Sequence, residues 1–127
     1  LKQNQVGWTF GRDDHKAAVL SPVTGTVLAI NHRTQEHPEI TLEDPYQEGW
    51  LFILEPELPK MNLKGLYFGK ESFRWMEQEC KRLMTLIGPE YEQLAATGGK
   101  PIDDIFGQFP KIGWDRLVRT FLRTKKI

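Results

Sequence analysis

The strongest constraint on this chain is a tight turn followed by two apolar runs. Ser21-Pro22-Val23-Thr24-Gly25 reads as the turn. Pro22 fixes its own φ and Gly25 can adopt positive φ, so a sharp reversal is expected here. Val27 to Ile30 follows as an apolar run of strand length, rich in branched residues. His32 to Gln47 is polar and holds Pro38 and Pro45, which predicts a connecting loop with a short turn at Pro38-Glu39-Ile40. Trp50-Leu51-Phe52-Ile53-Leu54 is a second run, apolar throughout. Such a run predicts a strand buried on both faces, with Trp50 in the core beside Leu51 or Phe52. Pro56 and Pro59 end it.

A hairpin precedes the turn. Val6 to Phe10 and Ala17 to Leu20 are its expected strands, around Gly11-Arg12-Asp13-Asp14-His15. His15 has no partner at metal-ligand spacing, and His32 and His37 lie in the polar loop, so no metal site is expected. No catalytic triad, phosphate loop or paired-carboxylate motif stands out. Asp13-Asp14 and Asp103-Asp104 read as turn and cap residues.

Composition narrows the classes. The chain has 127 residues, with 17 basic and 17 acidic side chains, and the neutral balance argues against a nucleic-acid footprint. Hydrophobic residues make up 39%, enough for a modest core. A single cysteine, Cys80, excludes an internal disulfide framework and points to a reducing compartment. No apolar run reaches membrane-spanning length and no signal peptide is recognisable. The first residue is Leu1, which suggests a fragment or a processed chain.

The last half reads as helical. Phe73, Met76, Cys80, Leu83 and Ile87 recur at three and four residues. This predicts an amphipathic helix from Glu71 to Ile87, stopped by Gly88-Pro89, with Cys80 as an inert core thiol. Tyr91 to Ala96 predicts a short helix closed by Gly98-Gly99, and Pro101 to Phe106 a single turn. Trp114, Leu117, Val118 and Phe121 predict a last amphipathic helix. Arg116, Arg119 and Arg123 line another of its faces, with Lys125 and Lys126 beyond. That face is expected to be solvated; binding of nucleic acid through it is the remote alternative.

The ordered series Ser21-Pro22-Val23-Thr24-Gly25, Val27 to Asn31, Pro38, Asp44-Pro45-Tyr46 and Gly49-Trp50 resembles the H protein of the glycine cleavage system. The resemblance covers Phe10 to Leu54; Leu42 and Gln47 stand where the family usually has Asn and Gly. It implies a lipoyl carrier, in which a lysine in the hairpin before the Ser-Pro turn bears the lipoyl group. Two alignments of that hairpin compete. Counting back seven residues from Ser21 reaches Asp14, and a carboxylate cannot form the lipoyl amide. Aligning the family's acidic-x-x-Lys-Ala pattern reaches Asp13-Asp14-His15-Lys16-Ala17, and makes Lys16 the attachment site. That choice shortens the return strand by two residues, which keeps side-chain parity.

The expected fold is α+β: a partial barrel-sandwich hybrid, or lipoyl-domain-like β-sandwich, followed by a helical C-terminal extension. The expected division is residues 1–60 for the β part, its first half absent from this chain, and 61–127 for the extension. The expected function is an H-protein-like interaction or regulatory module, carrying no cofactor and not an enzyme by itself. The alternative is a working lipoyl carrier that shuttles an aminomethyl group on Lys16. Protein partners are expected, a second copy of the chain among them, in a cytoplasmic setting without membrane contact.

Overall fold

The computed structural model describes residues 1–88 and 104–125. These divide into two units. One comprises Leu1–Gly7 and Ser21–Gly65; the other comprises Trp8–Leu20 with the described part of Leu66–Ile127. The chain is mixed α and β, with antiparallel pairing and no closed barrel among the described residues.

In the first unit, β3 (Gly25–Ile30) pairs antiparallel with β4 (Phe52–Pro56), setting Gly25 opposite Pro56 and Ile30 opposite Phe52. The register shifts between Val27 and Ala29, so Leu28 is the extra residue of a bulge. Gly25 is not among the positive-φ residues. The site demands glycine for a different reason: a Cβ there would lie 2.1 Å from the Glu55 carbonyl oxygen. Close backbone approach replaces the expected left-handed turn. Ser21 is 1% exposed, and its Oγ donates to the Val23 carbonyl at 2.7 Å, closing the turn.

The expected loop between the strands holds two short helices, α1 (His32–Glu36) and α2 (Ile40–Glu43). Asn31 explains the first. Its Oδ1 accepts from the Arg33 amide at 3.2 Å, an N-cap the polar composition concealed.

The second apolar run also departs from expectation. Strand β4 begins at Phe52, not Trp50. The carbonyls of Trp50 and Leu51 are occupied by Asn31, whose Nδ2 donates to Trp50 at 2.8 Å and whose backbone amide donates to Leu51 at 2.9 Å. Trp50 is 38% exposed and Ile53 51%, so the run is not buried on both faces. Gly49, beside it, is buried, and a Cβ there would meet the Asp44 carbonyl oxygen at 2.6 Å. Strand β4 ends at Pro56, as the prolines indicated, and α3 (Pro59–Leu63) follows.

The hairpin is formed by β1 (Val6–Arg12), which belongs to the second unit from Trp8 onward, and β2 (His15–Leu20), and β5 (Thr124–Lys125) adds to the other side of β2. Ala18 faces Lys125 and Val19 faces Thr124. The C-terminal segment therefore supplies a strand as well as helices. Ala17, Ala18 and Val19 are buried, as are Ile87 and Phe109.

Helix α4 (Lys70–Ile87) matches the expected span within one residue. Gly88, at φ 66°, terminates it with its amide on the Met84 carbonyl. The stripe is another matter. Ile87 is buried and Leu83 half-buried, but Phe73 is 75% exposed and Met76 and Cys80 are exposed too. Its last turns are anchored, where Arg82 donates to the Thr120 carbonyl at 2.9 Å and lies over the Phe121 ring; nearer its start, Trp75 stacks on Tyr67. Cys80 is thus a solvent-facing thiol, not a core residue.

The remaining helices are α5 (Ile105–Gln108) and α6 (Trp114–Phe121). In α6 the expected stripe of Trp114, Leu117, Val118 and Phe121 is half-buried, and Arg116 and Arg119 are exposed. The expected helix over Tyr91 to Ala96, its Gly98-Gly99 closure and most of the Pro101 to Phe106 turn lie outside the described residues. No helix among the described residues is long and apolar enough to cross a membrane.

Candidate functional site

The hairpin carries every residue singled out for a cofactor. Strands β1 and β2 are joined by the two residues Asp13 and Asp14. Asp13 has φ 55°, a left-handed conformation that aspartate tolerates better than most residues. Both aspartates are exposed at the tip. Lys16 is the second residue of β2 and is also exposed. The structure therefore sets Asp14 in the turn and Lys16 on the return strand.

The C-terminal segment of the same unit grips this hairpin. Trp114 Nε1 donates to the Lys16 carbonyl at 3.0 Å. The His15 ring stacks on Trp114, centroids 5.5 Å apart and planes 23° apart, and meets the Phe106 ring edge-on at 5.0 Å. Phe106 is in turn T-shaped against Trp114 at 5.4 Å, and Phe10 approaches Trp114 at 5.5 Å. Offset and edge-on geometries suit the aromatic quadrupole, so the cluster is mutually attractive. His15 is thus a packing residue of an aromatic cluster. Among the described residues no group of three or more His, Cys, Asp or Glu side chains is placed to hold a metal ion.

An ion pair closes the other side. The Arg12 guanidinium bonds the Asp104 carboxylate and also lies over the Phe106 ring at 5.6 Å. Asp104 caps α5, accepting from the Gly107 amide at 3.0 Å. Hydrogen bonding from Arg12, then from Gly107, holds the Asp104 carboxyl below the usual carboxylate range. The same bond raises Arg12 above its ordinary value. The sequence indicated Asp104 as a cap, but nothing in it pairs Arg12 with a residue 92 positions away.

The ordered series after the hairpin is tied together in the first unit. Asn31 is buried; its Nδ2 donates to the Glu48 carbonyl at 3.0 Å and the Trp50 carbonyl at 2.8 Å. Thr34 Oγ1 donates to the Asn31 carbonyl at 2.8 Å. The Asp44 carboxylate accepts from the Glu48 amide at 3.2 Å. Asn31, Asp44 and Gly49 thus meet around one turn: the two side chains satisfy its backbone, and Gly49 donates its amide to the Asp44 carbonyl at 2.8 Å.

The family model of the glycine cleavage H-protein matches residues 14–79, a span holding the hairpin lysine and the whole ordered series. The chain belongs to the glycine cleavage H-protein family. It is similar to the glycine cleavage system H protein of Magnetococcus marinus, 41% identical over 76 residues, covering 58% of this chain and 54% of that one. The H protein of Anaeromyxobacter dehalogenans is 39% identical over 57 residues, covering 42% and 44%. The probable glycine cleavage system H protein 1 of Saccharolobus solfataricus is 46% identical over 39 residues, covering 31% and 28%. The chain thus spans about half the length, or less, of these curated relatives. No solved structure matches it. Asp104, Phe106 and Trp114, which hold the hairpin, fall outside the family span.

Proposed function

We propose that this chain is an H-protein-like interaction module that does not carry lipoyl, and that it is not an enzyme by itself. The observation that carries this reading is the position of Asp14. It occupies the hairpin turn, seven residues before Ser21, where the family's register calls for the lysine. An aspartate side chain has no amine to accept a lipoyl group. Lys16 does not replace it in kind: it belongs to the β2 ladder, and its own carbonyl is bonded by Trp114. The lipoyl group therefore does not fit the tip residues, and no transfer step is assigned to them. The β part is read as lipoyl-domain-like in ancestry, with protein partners, in a cytoplasmic setting.

The other reading is a carrier with lipoyl on Lys16. It is favoured by one observation, that Lys16 is exposed and follows Asp13 in an acidic-x-x-Lys-Ala order. An Asp14→Lys variant separates the two. Co-expressed with a lipoate ligase and lipoate, the variant is expected to gain a lipoyl adduct at position 14 while the parent chain stays unmodified. Modification of the parent at Lys16, with none on the variant's new lysine, would reverse the assignment.

A further inference from the structure

The second unit also contains a cavity of about 290 Å³ on the far side of β2 from β1. Three elements build it. Strand β2 gives Lys16 and the buried Ala17, β5 gives Thr124 and Lys125, and α6 gives Asp115 and Arg119. Asp115 and Arg119 are four apart on α6, so both lie on one face of the helix. Pairing of β5 with β2 then brings Lys125 alongside Ala18 and next to that face.

The charges at this cavity are unbalanced. Arg12, Arg33 and Arg82 each have a carboxylate partner. Lys16, Arg119 and Lys125 have none among the described residues, although the chain as a whole is neutral. Three unpaired cations lining one cavity against a single carboxylate make a site of positive potential, which concentrates anions. The Arg119 fork matches two oxygens of a tetrahedral or planar oxyanion, and the lysines supply point charges. Thr124 adds a hydroxyl donor. Asp115 would repel a bare anion oxygen, but it accepts a hydrogen bond from an amino or hydroxyl group on the same ligand.

We propose that this cavity binds a small phosphomonoester bearing an amino or hydroxyl group. The dianion answers the excess of cations better than a single carboxylate would, and the cavity volume sits at the small end of ligand sites. Arg119, Thr124 and Lys125 lie outside the span shared with the H-protein family model, so the site belongs to this chain's own C-terminal segment. The proposal rests on Lys16 being unmodified, because a lipoyl amide would remove its charge.

The test uses the full chain, with its intact mass measured first. Phosphoethanolamine is titrated at pH 7.5 and constant ionic strength while backbone amide resonances are followed. Saturable shifts are expected at Ala17, Thr124 and Lys125, absent with ethanolamine plus acetate at matched ionic strength. Arg119→Gln, an exposed substitution, is expected to weaken binding about tenfold, the effect of losing a charge-assisted hydrogen bond. Lowering the pH to about 5 should weaken it as well, since the phosphate monoester takes up its second proton near pH 6. Equal shifts with acetate, or unchanged affinity in Arg119→Gln, would overturn the site while leaving the unmodified hairpin intact. A lipoyl adduct on Lys16 in the first mass measurement would overturn both.

Discussion

Trp114 donates its indole N–H to the carbonyl of Lys16 at 3.0 Å, joining residues 98 apart in sequence. The same ring stacks on His15 and touches Phe106 and Phe10. Trp114→Phe keeps an aromatic ring but loses the donor, and should cost about 0.5–1.5 kcal/mol. Trp114→Ala also loses the cluster. Because the side chain is only half-buried, about 2–3 kcal/mol is expected, below the full-burial range. Urea denaturation measures both; equal costs would mean the aromatic cluster contributes nothing.

The Arg12–Asp104 pair sets a pH dependence with a definite sign. The folded Asp104 carboxyl titrates below its unfolded value, mainly through the bond from Arg12. Its stabilising contribution is therefore fully present above the ordinary carboxylate range and is lost as pH falls through the lower, folded value. Arg12→Gln should raise the Asp104 titration midpoint toward the ordinary range, as followed by carboxyl carbon NMR. A midpoint that does not move would assign the shift to the Gly107 amide instead.

Asn31 tests the link between the ordered series and the fold. It is buried and serves two carbonyls and one amide with its side chain. Asn31→Ala leaves those groups unpaired and should cost about 2–3 kcal/mol in chemical denaturation. Asn31→Asp keeps the cap but aims a carboxylate at two carbonyl oxygens, so it should be the worse of the two. An aspartate variant as stable as the parent would mean that those carbonyls are satisfied by water.

Strands β3 and β4 form a two-stranded sheet with apolar side chains in solvent, Leu28 at 59% exposure among them. Two-stranded sheets are marginal in water, and open edges pair readily. A second copy of the chain is the expected partner, giving a two-fold dimer. Light scattering coupled to size exclusion should report twice the monomer mass at micromolar concentration. A monomer persisting at high micromolar concentration would remove the dimer.

Much of the architecture was legible in local patterns. The extent of α4, the strand after the Ser-Pro turn and the hairpin before it all follow from periodicity and turn residues. The failures have physical causes. The stripe of α4 reads as a core face, yet Phe73 is solvent-facing, because periodicity reports an apolar side and not what covers it. Trp50 reads as a strand residue, but Asn31 takes its carbonyl first. Gly25 reads as a left-handed turn residue, and its actual constraint, the Glu55 backbone, lies on another strand. In the hairpin, a turn holding Asp13 and Asp14 followed from the turn-favouring run Gly11 to His15. The clamp of Asp104, Phe106 and Trp114 did not, since long-range pairs leave no spacing signal in a single sequence.

The most direct test is peptide mass spectrometry of the parent chain made in a host that supplies lipoate and its ligase, with the peptide containing Asp13 to Ala17 mapped. The expected result is an unmodified Lys16 at full occupancy, alongside a lipoylated control H protein from the same culture. A lipoyl adduct on Lys16 would contradict the interaction-module reading and make the chain a carrier.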